Sequence, residues 1–158
     1  MVEALPQSEV AAPTPPARRT PQLWNPTVAA LWSIPFTPVF GAYIHHRNWL
    51  KLGHSELAME SKTWSKILFF LIAVGAGIFI YLPVEHPAQI YLHYLPNALT
   101  AGWYLSSGHR QVQYVKAHLG NSYIRISWAG PLLLAFGLYI AWIATFLFIG
   151  AVLMELQK

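Results

Sequence analysis

The sequence predicts an all-α integral membrane protein with about four transmembrane helices, from its composition and the distribution of its charges. Hydrophobic residues make up 55% of the chain and charged residues 10%, where a typical soluble domain carries about a quarter charged residues. A helix needs about 20 mostly apolar residues to cross the hydrocarbon core. Four windows without Asp, Glu, Lys or Arg meet or approach this length: Arg19 to Arg47, Lys66 to Glu85, Glu85 to Arg110 and Arg125 to Glu155.

The chain divides into a tail and one domain. Residues 1–23 are rich in Pro and Ala, as in APTPPARRTP, and such a composition buries too little apolar surface to offset the entropy of ordering. We therefore expect a disordered tail over 1–23 and a single helical membrane domain over 24–158, which suits a length of 158 residues.

Two stretches are strong spans. Residues 129–154 are apolar on every side, and residues 67–84 are bounded by Lys66 and Glu85. In the second, Gly75 and Gly77 form a patch of small residues. Such patches let two helix backbones approach closely in a membrane, so we expect both glycines to lie in a helix–helix contact.

Two stretches are weaker. Residues 26–44 contain Pro35 and Pro38, which favour a kinked span or a re-entrant segment over a straight helix. Residues 90–105 contain His93 and Asn97. Ionisable residues inside a membrane are candidates for function, so this pair is the candidate polar or pathway site. A single His on such a segment is more often a hydrogen-bonded packing residue.

The distribution of Lys and Arg predicts the topology. Basic residues concentrate in loops 45–66 and 108–125. The positive-inside rule therefore predicts that both loops are cytoplasmic. The link that carries Glu85 is then external. We expect four spans. This number would place both termini outside, so Arg18 and Arg19 would have to cross the membrane. A re-entrant first stretch would leave three spans and keep the N-terminus inside.

Both basic loops contain a similar corner followed by a Trp and a strong span. The corners are Leu-Gly-His-Ser at 52–55 and Leu-Gly-Asn-Ser at 119–122, where Gly can close a helix in the left-handed conformation. A duplication of two helical hairpins is one explanation, and chance is the other. Tryptophans near the ends of the stretches are expected to anchor at the headgroup level: Trp49, Trp64, Trp103 and Trp128.

The residues predict no catalytic or metal chemistry. The seven His show no ligand spacing, Asp and Cys are absent, and there is no nucleophile elbow, phosphate loop or pair of intramembrane acids. We therefore expect a protein without enzymatic activity or cofactor. Ser106 and Ser107 stand beside His109, but Gly108 is expected simply to end the third helix.

Part of the sequence resembles a group of small bacterial multi-pass inner-membrane proteins of uncharacterised function. Their recurring pattern is W-N-P, A-A-L-W-S, F-T-P-x-F-G-A and N-W followed by L-G. The pattern occurs at 24–26, 29–33, 36–42, 48–49 and 52–53. The resemblance covers about a fifth of the chain. It implies a bacterial source and an inner-membrane location, and it implies no activity or catalytic residue.

These observations leave three hypotheses for function, of which a redox or lipid-modifying membrane enzyme has the least support. The first is a protein that acts through contacts with another membrane protein, or with itself, in an accessory, regulatory or toxin-immunity role. The second is an oligomeric small transporter or channel, whose pore would be lined by His93, Asn97, Glu85 and the broken first stretch. The expected partners are the lipid bilayer and a membrane protein. Nucleic acid is not expected, because the net charge of +4 is small and tied to the ends of apolar stretches.

Overall fold

The structure, a computed structural model, describes residues 20–156, with only the backbone of Leu156. The described chain is helical, as predicted, with one short pair of strands. The helices are α1 Pro26–Phe36, α2 Pro38–Lys51, α3 Ser55–Tyr81, α4 Ala88–Trp103, α5 His109–His118 and α6 Ala129–Leu156; the strands are β1 Gln22–Leu23 and β2 Ile124–Arg125. Two helices, α3 and α6, are long and apolar enough to cross a membrane.

The first weak stretch forms two helices with a break at Thr37. Asn25 caps α1, its Oδ1 accepting from the backbone N–H groups of Thr27 and Val28 at 3.0 and 3.3 Å. Pro38 has no N–H and disfavours helical backbone at the residue before it. Thr37 accordingly leaves helical backbone, with ψ 154°. Its φ of 77° is the one positive φ of a non-glycine residue between 20 and 156. A break there separates α1 from α2.

Helices α1 and α2 form an antiparallel hairpin. The carbonyl of Pro26 accepts from His45, and Trp24 bonds to Asn48. Near the break, a Cβ added to Gly41 would collide with Oγ of Ser33. The numbers of these paired residues rise in one helix as they fall in the other, so α2 returns to the end where α1 begins. The first stretch is therefore not a straight helix through the molecule.

Two glycine corners mark one end of the molecule, here called the corner end. Gly53 has φ 80° and separates α2 from α3, and Gly120 has φ 53° and follows α5. Both adopt the left-handed conformation predicted from the L-G-x-S pattern. The opposite end, the link end, is formed by residues 82–87 between α3 and α4. There Gln89 donates to the carbonyls of Phe79 and Leu82, both at 3.0 Å, and so satisfies the end of α3.

The third stretch continues past the point where we expected it to end. A π-helical turn, Tyr104–Gly108, joins α4 to α5, and the helix runs from Ala88 to His118. The expectation that Gly108 ends the helix is wrong. Its φ is −60°, and an added Cβ would lie 3.3 Å from the ring of Trp103. Gly108 permits close packing rather than a helix stop.

A short parallel ladder holds the start of the described chain at the corner end. Gln22 pairs with Ile124, and Leu23 pairs with Arg125. Leu23 is fully buried. The expected disordered tail over 1–23 is therefore wrong for residues 20–23, because the ladder and Leu23 order them. Residues 1–19, including Arg18 and Arg19, lie outside the described residues.

The core lies where α2, α3 and α4 meet. Ala42, Leu68 and Trp103 are its buried centre. Ring contacts join α6 to the other helices, Phe36 with Tyr139 at 6.4 Å and Phe79 with Phe146 at 6.0 Å between centroids. No side chain of the most apolar window of α6 is buried, so this helix presents apolar surface all around.

The two glycines of α3 have different environments. Gly75 is buried, and an added Cβ would collide with the side chain of Leu95 on α4. Gly77 is exposed, with open space around it. Residues two apart on a helix are rotated by about 200° and so point in nearly opposite directions. Of these two glycines, only Gly75 lies in a helix–helix contact within residues 20–156.

Candidate functional site

A largely buried cluster of hydrogen-bonded polar residues lies at the corner end and is here called the polar junction: Trp24, His45, Asn48 and Gln111. Asn48 accepts from the backbone N–H of Trp24 at 3.0 Å and donates to its carbonyl at 2.7 Å. Asn48 also donates to Oε1 of Gln111 at 3.2 Å. Gln111 donates to the carbonyl of His45 at 2.8 Å. The junction therefore joins the N-terminal segment, α2 and α5.

His45 is held neutral inside this junction. Its Nε2 donates to the carbonyl of Pro26 at 3.2 Å, and its ring lies edge-on to Trp103 at 5.2 Å between centroids. Burial, partly offset by the bond to Pro26, lowers the pKa of His45 from 6.5 to about 4, because a buried imidazolium loses its hydration. His45 is therefore a neutral hydrogen-bond donor at pH 7.

A second cluster, the aromatic corner, consists of Trp49, His54, Tyr114 and His118. His54 Nε2 and the Tyr114 hydroxyl share a hydrogen bond of 2.8 Å. The Trp49 ring packs against both at 5.4 and 5.2 Å, and His118 stacks on Tyr114 at 4.2 Å between centroids. These contacts hold the glycine corner at Gly53 against α5. In them, both His side chains pack against aromatic rings, and His54 also forms a hydrogen bond.

Charged side chains surround these clusters at the surface. Arg110 and Glu60 form an ion pair between α5 and α3. Lys51 places its Nζ 4.7 Å from the Trp24 ring centroid. The pKa of Lys51 is lowered, first by burial and then by neighbouring Arg47. Because these groups are largely exposed, they contribute little to stability and leave a predominantly basic surface at the corner end.

Two of the four tryptophans expected at the headgroup level are buried in the protein. Trp49 is 3% exposed in the aromatic corner, and Trp103 is 1% exposed in the core, so neither ring has the exposed surface that an interface anchor uses. A Trp near the end of an apolar stretch can serve either role, and long-range packing decides. Trp64 and Trp128 are half-buried, and Trp64 packs against the core.

The candidate pathway residues lie elsewhere, on α4. His93 is exposed and contacts the ring of Tyr94 at 5.2 Å between centroids. It makes no hydrogen bond within residues 20–156, contrary to the expected hydrogen-bonded packing role. Asn97 is also exposed, one helical turn further along.

His93 lines an apolar cavity of about 410 Å³ between three helices, here called the lateral cleft. Its other lining residues come from α3, α4 and α6: Ile72, Gly75, Ala76, Phe79, Leu92, Leu95, Pro96, Tyr139, Trp142, Ile143, Phe146 and Leu147. Neither α1 nor α2 contributes to this lining. The cleft therefore does not bring His93 together with the broken first stretch, as the transporter hypothesis required.

No group of three His, Cys, Asp or Glu that could hold a metal ion occurs within residues 20–156. Sequence reasoning missed the polar junction, although a signal was present. His45, Asn48, Trp49 and Leu52 follow the spacing of one helix face, as do Gln111, Tyr114, Val115 and His118.

Comparison with protein-family models, with curated proteins and with solved structures finds no match to this chain.

Proposed function

We propose that the chain is a bacterial inner-membrane protein that crosses the bilayer three times and carries a re-entrant hairpin. The spans are α3, the first part of the long helix from Ala88, and α6. The 11 residues of α1 make a helix about 17 Å long, too short for a hydrocarbon core of about 30 Å. Because α2 returns to the corner end, we prefer this arrangement to four spans.

This arrangement also removes a conflict in the topology. The N-terminal segment pairs with β2 at the corner end, together with the basic residues of both predicted loops. The corner end is then cytoplasmic and the link with Glu85 external. Arg18 and Arg19 precede a segment on the cytoplasmic side, so no basic residue of the tail has to cross.

Within the membrane, we propose that the protein acts by binding another membrane protein, or a second copy of itself, in an accessory or regulatory role. The supporting observation is a set of glycines in open space on both strong spans: Gly77 on α3, and Gly137 and Gly150 on α6. Glycine weakens a helix by about 0.5–1 kcal/mol relative to Ala. Bare backbone without a neighbour among residues 20–156 suits close approach by a helix from another protein or a second copy.

Site-specific photocross-linking in the intact membrane tests this proposal. A photoreactive amino acid at Gly77 or Gly137 should give one adduct of defined mass, identified by mass spectrometry as a partner protein or a second copy. Gly77→Leu should reduce the adduct formed from Gly137, while Leu134→Ile, an exposed volume-conserving change on α6, should leave it intact. Labelling of lipid alone at both positions would contradict a protein partner.

The second candidate is an oligomeric transporter or channel, and the hairpin is the observation that favours it. Broken and re-entrant helices line ion and substrate sites in transporters, with their ends inside the membrane. The break at Thr37 is such an end. Proteoliposomes that pass protons or small ions faster than protein-free vesicles, with a loss of flux in Thr37→Val, would support this function.

A further inference from the structure

The lateral cleft lies in the half of the membrane domain nearest the link end. His93 is five residues into α4, about 8 Å along the helix from its start at the link. On α6, the lining begins at Tyr139, ten residues after the helix begins at the corner end. In the proposed topology, the cleft therefore faces the outer half of the bilayer.

The wall of the cleft is apolar except for a few hydrogen-bonding groups on two helices. Besides the imidazole of His93, these are the hydroxyl of Tyr139 and the indole N–H of Trp142. None of the three makes a hydrogen bond to residues 20–156. Pro96 has no N–H, so the carbonyl of Leu92 also lacks its usual helical donor. Unpaired polar groups are costly in hydrocarbon, and the three side-chain donors would gain from a ligand that offers a hydrogen-bond acceptor.

The size and exposure of the cleft limit what can fill it. Its volume of about 410 Å³ falls in the range of about 300–1,000 Å³ for small-molecule sites, whereas a helix has a diameter of about 10–12 Å. Tyr139, Ile143 and Leu147 are 42%, 40% and 67% exposed, so the cleft opens sideways. The occupant is therefore a slender, mostly apolar molecule that enters from the bilayer.

We propose that the lateral cleft binds a phospholipid of the outer leaflet, one acyl chain lying between α3, α4 and α6. The ester carbonyl of the lipid accepts a hydrogen bond from His93. Ala76, a half-buried small residue of α3, leaves room for the acyl chain beside this helix. An empty apolar void would forfeit dispersion contacts on its lining, and phospholipid is the amphiphile in excess beside it.

Photolabelling with a defined lipid tests the site. The full chain is reconstituted in vesicles of phosphatidylethanolamine and phosphatidylglycerol that contain phosphatidylcholine with a diazirine on one acyl chain. After irradiation, adducts are mapped by mass spectrometry. We expect saturable adducts on Leu92, His93 or Trp142 that unlabelled phosphatidylcholine reduces. Adducts spread evenly over the exposed side chains of α6, without saturation, would overturn the proposal.

Variants distinguish the cleft from general lipid contact. Ala76→Leu places a side chain in the cleft, and Ile143→Trp fills it from α6, so both should remove the saturable adducts. Ala98→Leu is the matched control, since Ala98 is exposed on α4 and does not line the cleft. Circular dichroism and size exclusion confirm that each variant is folded. Saturable labelling that survives both filling variants, in folded protein, would contradict the assignment.

Two further measurements test the hydrogen bond from His93 and the alternative that a second copy of the chain fills the cleft. His93→Phe keeps an apolar ring but removes the hydrogen bond, so the half-saturating fraction of labelled lipid should rise about 2- to 10-fold. An unchanged half-saturating fraction would remove the ester contact from the proposal. If a second copy filled the cleft, a photoreactive amino acid in place of Leu92 would give chain-to-chain adducts rather than lipid adducts, which would also overturn the proposal.

Discussion

The two ends of this molecule are built in different ways. At the corner end, polar side chains such as Asn48 and Gln111 are fully buried and hydrogen-bonded to segments far apart in sequence. Toward the link end, apolar side chains of α3 and α6 are exposed, and few contacts join the helices. Hydrogen bonds with defined geometry specify one arrangement, whereas apolar side chains are about as stable against lipid tails as against each other. The corner end therefore specifies the fold, whereas the half toward the link end leaves exposed apolar surface, where we propose that lipid and a partner bind.

The strongest test of this difference is to replace one Asn with Ala in each region and to compare the losses of unfolding free energy. Asn48→Ala leaves two groups of Trp24 and Oε1 of Gln111 without their partner, at about 1–3 kcal/mol for each group left unpaired. We expect a large loss of unfolding free energy, measured by denaturation in mild detergent. Asn97→Ala, on an exposed side chain, should change it by less than about 0.5 kcal/mol. Equal effects would show that the two regions do not differ as described.

Acid is expected to lower the free energy of unfolding by a smaller amount, through His45 at the corner end. The folded pKa of His45 is about 4, below its ordinary value of 6.5, so between these values the unfolded chain binds a proton that the folded chain does not. The contribution of His45 is complete above pH 6.5 and falls by about 1.4 kcal/mol for each pH unit toward pH 4. Measuring unfolding across this window gives the slope.

His45→Gln is the control for this pH dependence. Glutamine can donate to the Pro26 carbonyl in place of the imidazole and does not titrate. The variant should therefore lose the part of the acid slope between pH 6.5 and pH 4 that His45 contributes. If wild type and variant have the same slope over this window, His45 is not the group that is kept neutral by burial.

The smallest effect is expected at the hairpin break. Thr37 has a positive φ that a β-branched residue rarely adopts, which costs about 1–3 kcal/mol. Thr37→Gly relieves this strain and loses about 0.5–1 kcal/mol in chain entropy. We expect a net gain of about 1 kcal/mol in unfolding free energy. Thr100→Gly, within the regular part of α4, should instead be destabilising; a loss in both variants would mean that Thr37 is not strained.

The sequence predicted those parts of the fold that depend on neighbouring residues. The long charge-free windows predicted α3 and α6, since length and apolarity suffice for a span. The L-G-x-S pattern predicted the left-handed conformations of Gly53 and Gly120, because a glycine corner is a local feature. The break near Pro35 and Pro38 followed from the missing N–H groups and the conformational limits of proline.

Features that depend on contacts between distant segments could not be derived in this way. Asn48 contacts Gln111 across 63 positions of sequence, and nothing in either basic segment identifies its partner. Trp49 and Trp103 have the sequence context of interface anchors. Trp49 is buried by the packing of α5 on α2, and Trp103 by the packing of α2 and α3 on α4. Gly75 and Gly77 could have been separated from helix geometry alone. His93 was recognised as a polar residue in an apolar stretch, but the cleft beside it requires three helices.

The central claim is that the first stretch is a re-entrant hairpin, with the N-terminal segment on the same side as both glycine corners. Because the chain has no cysteine, single-cysteine variants can be labelled in spheroplasts with a membrane-impermeant maleimide. The informative variant is Gln22→Cys, with Glu56→Cys and Lys116→Cys as corner-end references and Glu85→Cys as the link reference. We predict that only Glu85→Cys is labelled in intact spheroplasts, and that the other three become reactive after permeabilisation. Labelling of Gln22→Cys from outside, with Glu56→Cys and Lys116→Cys protected, would contradict the hairpin and require a fourth span.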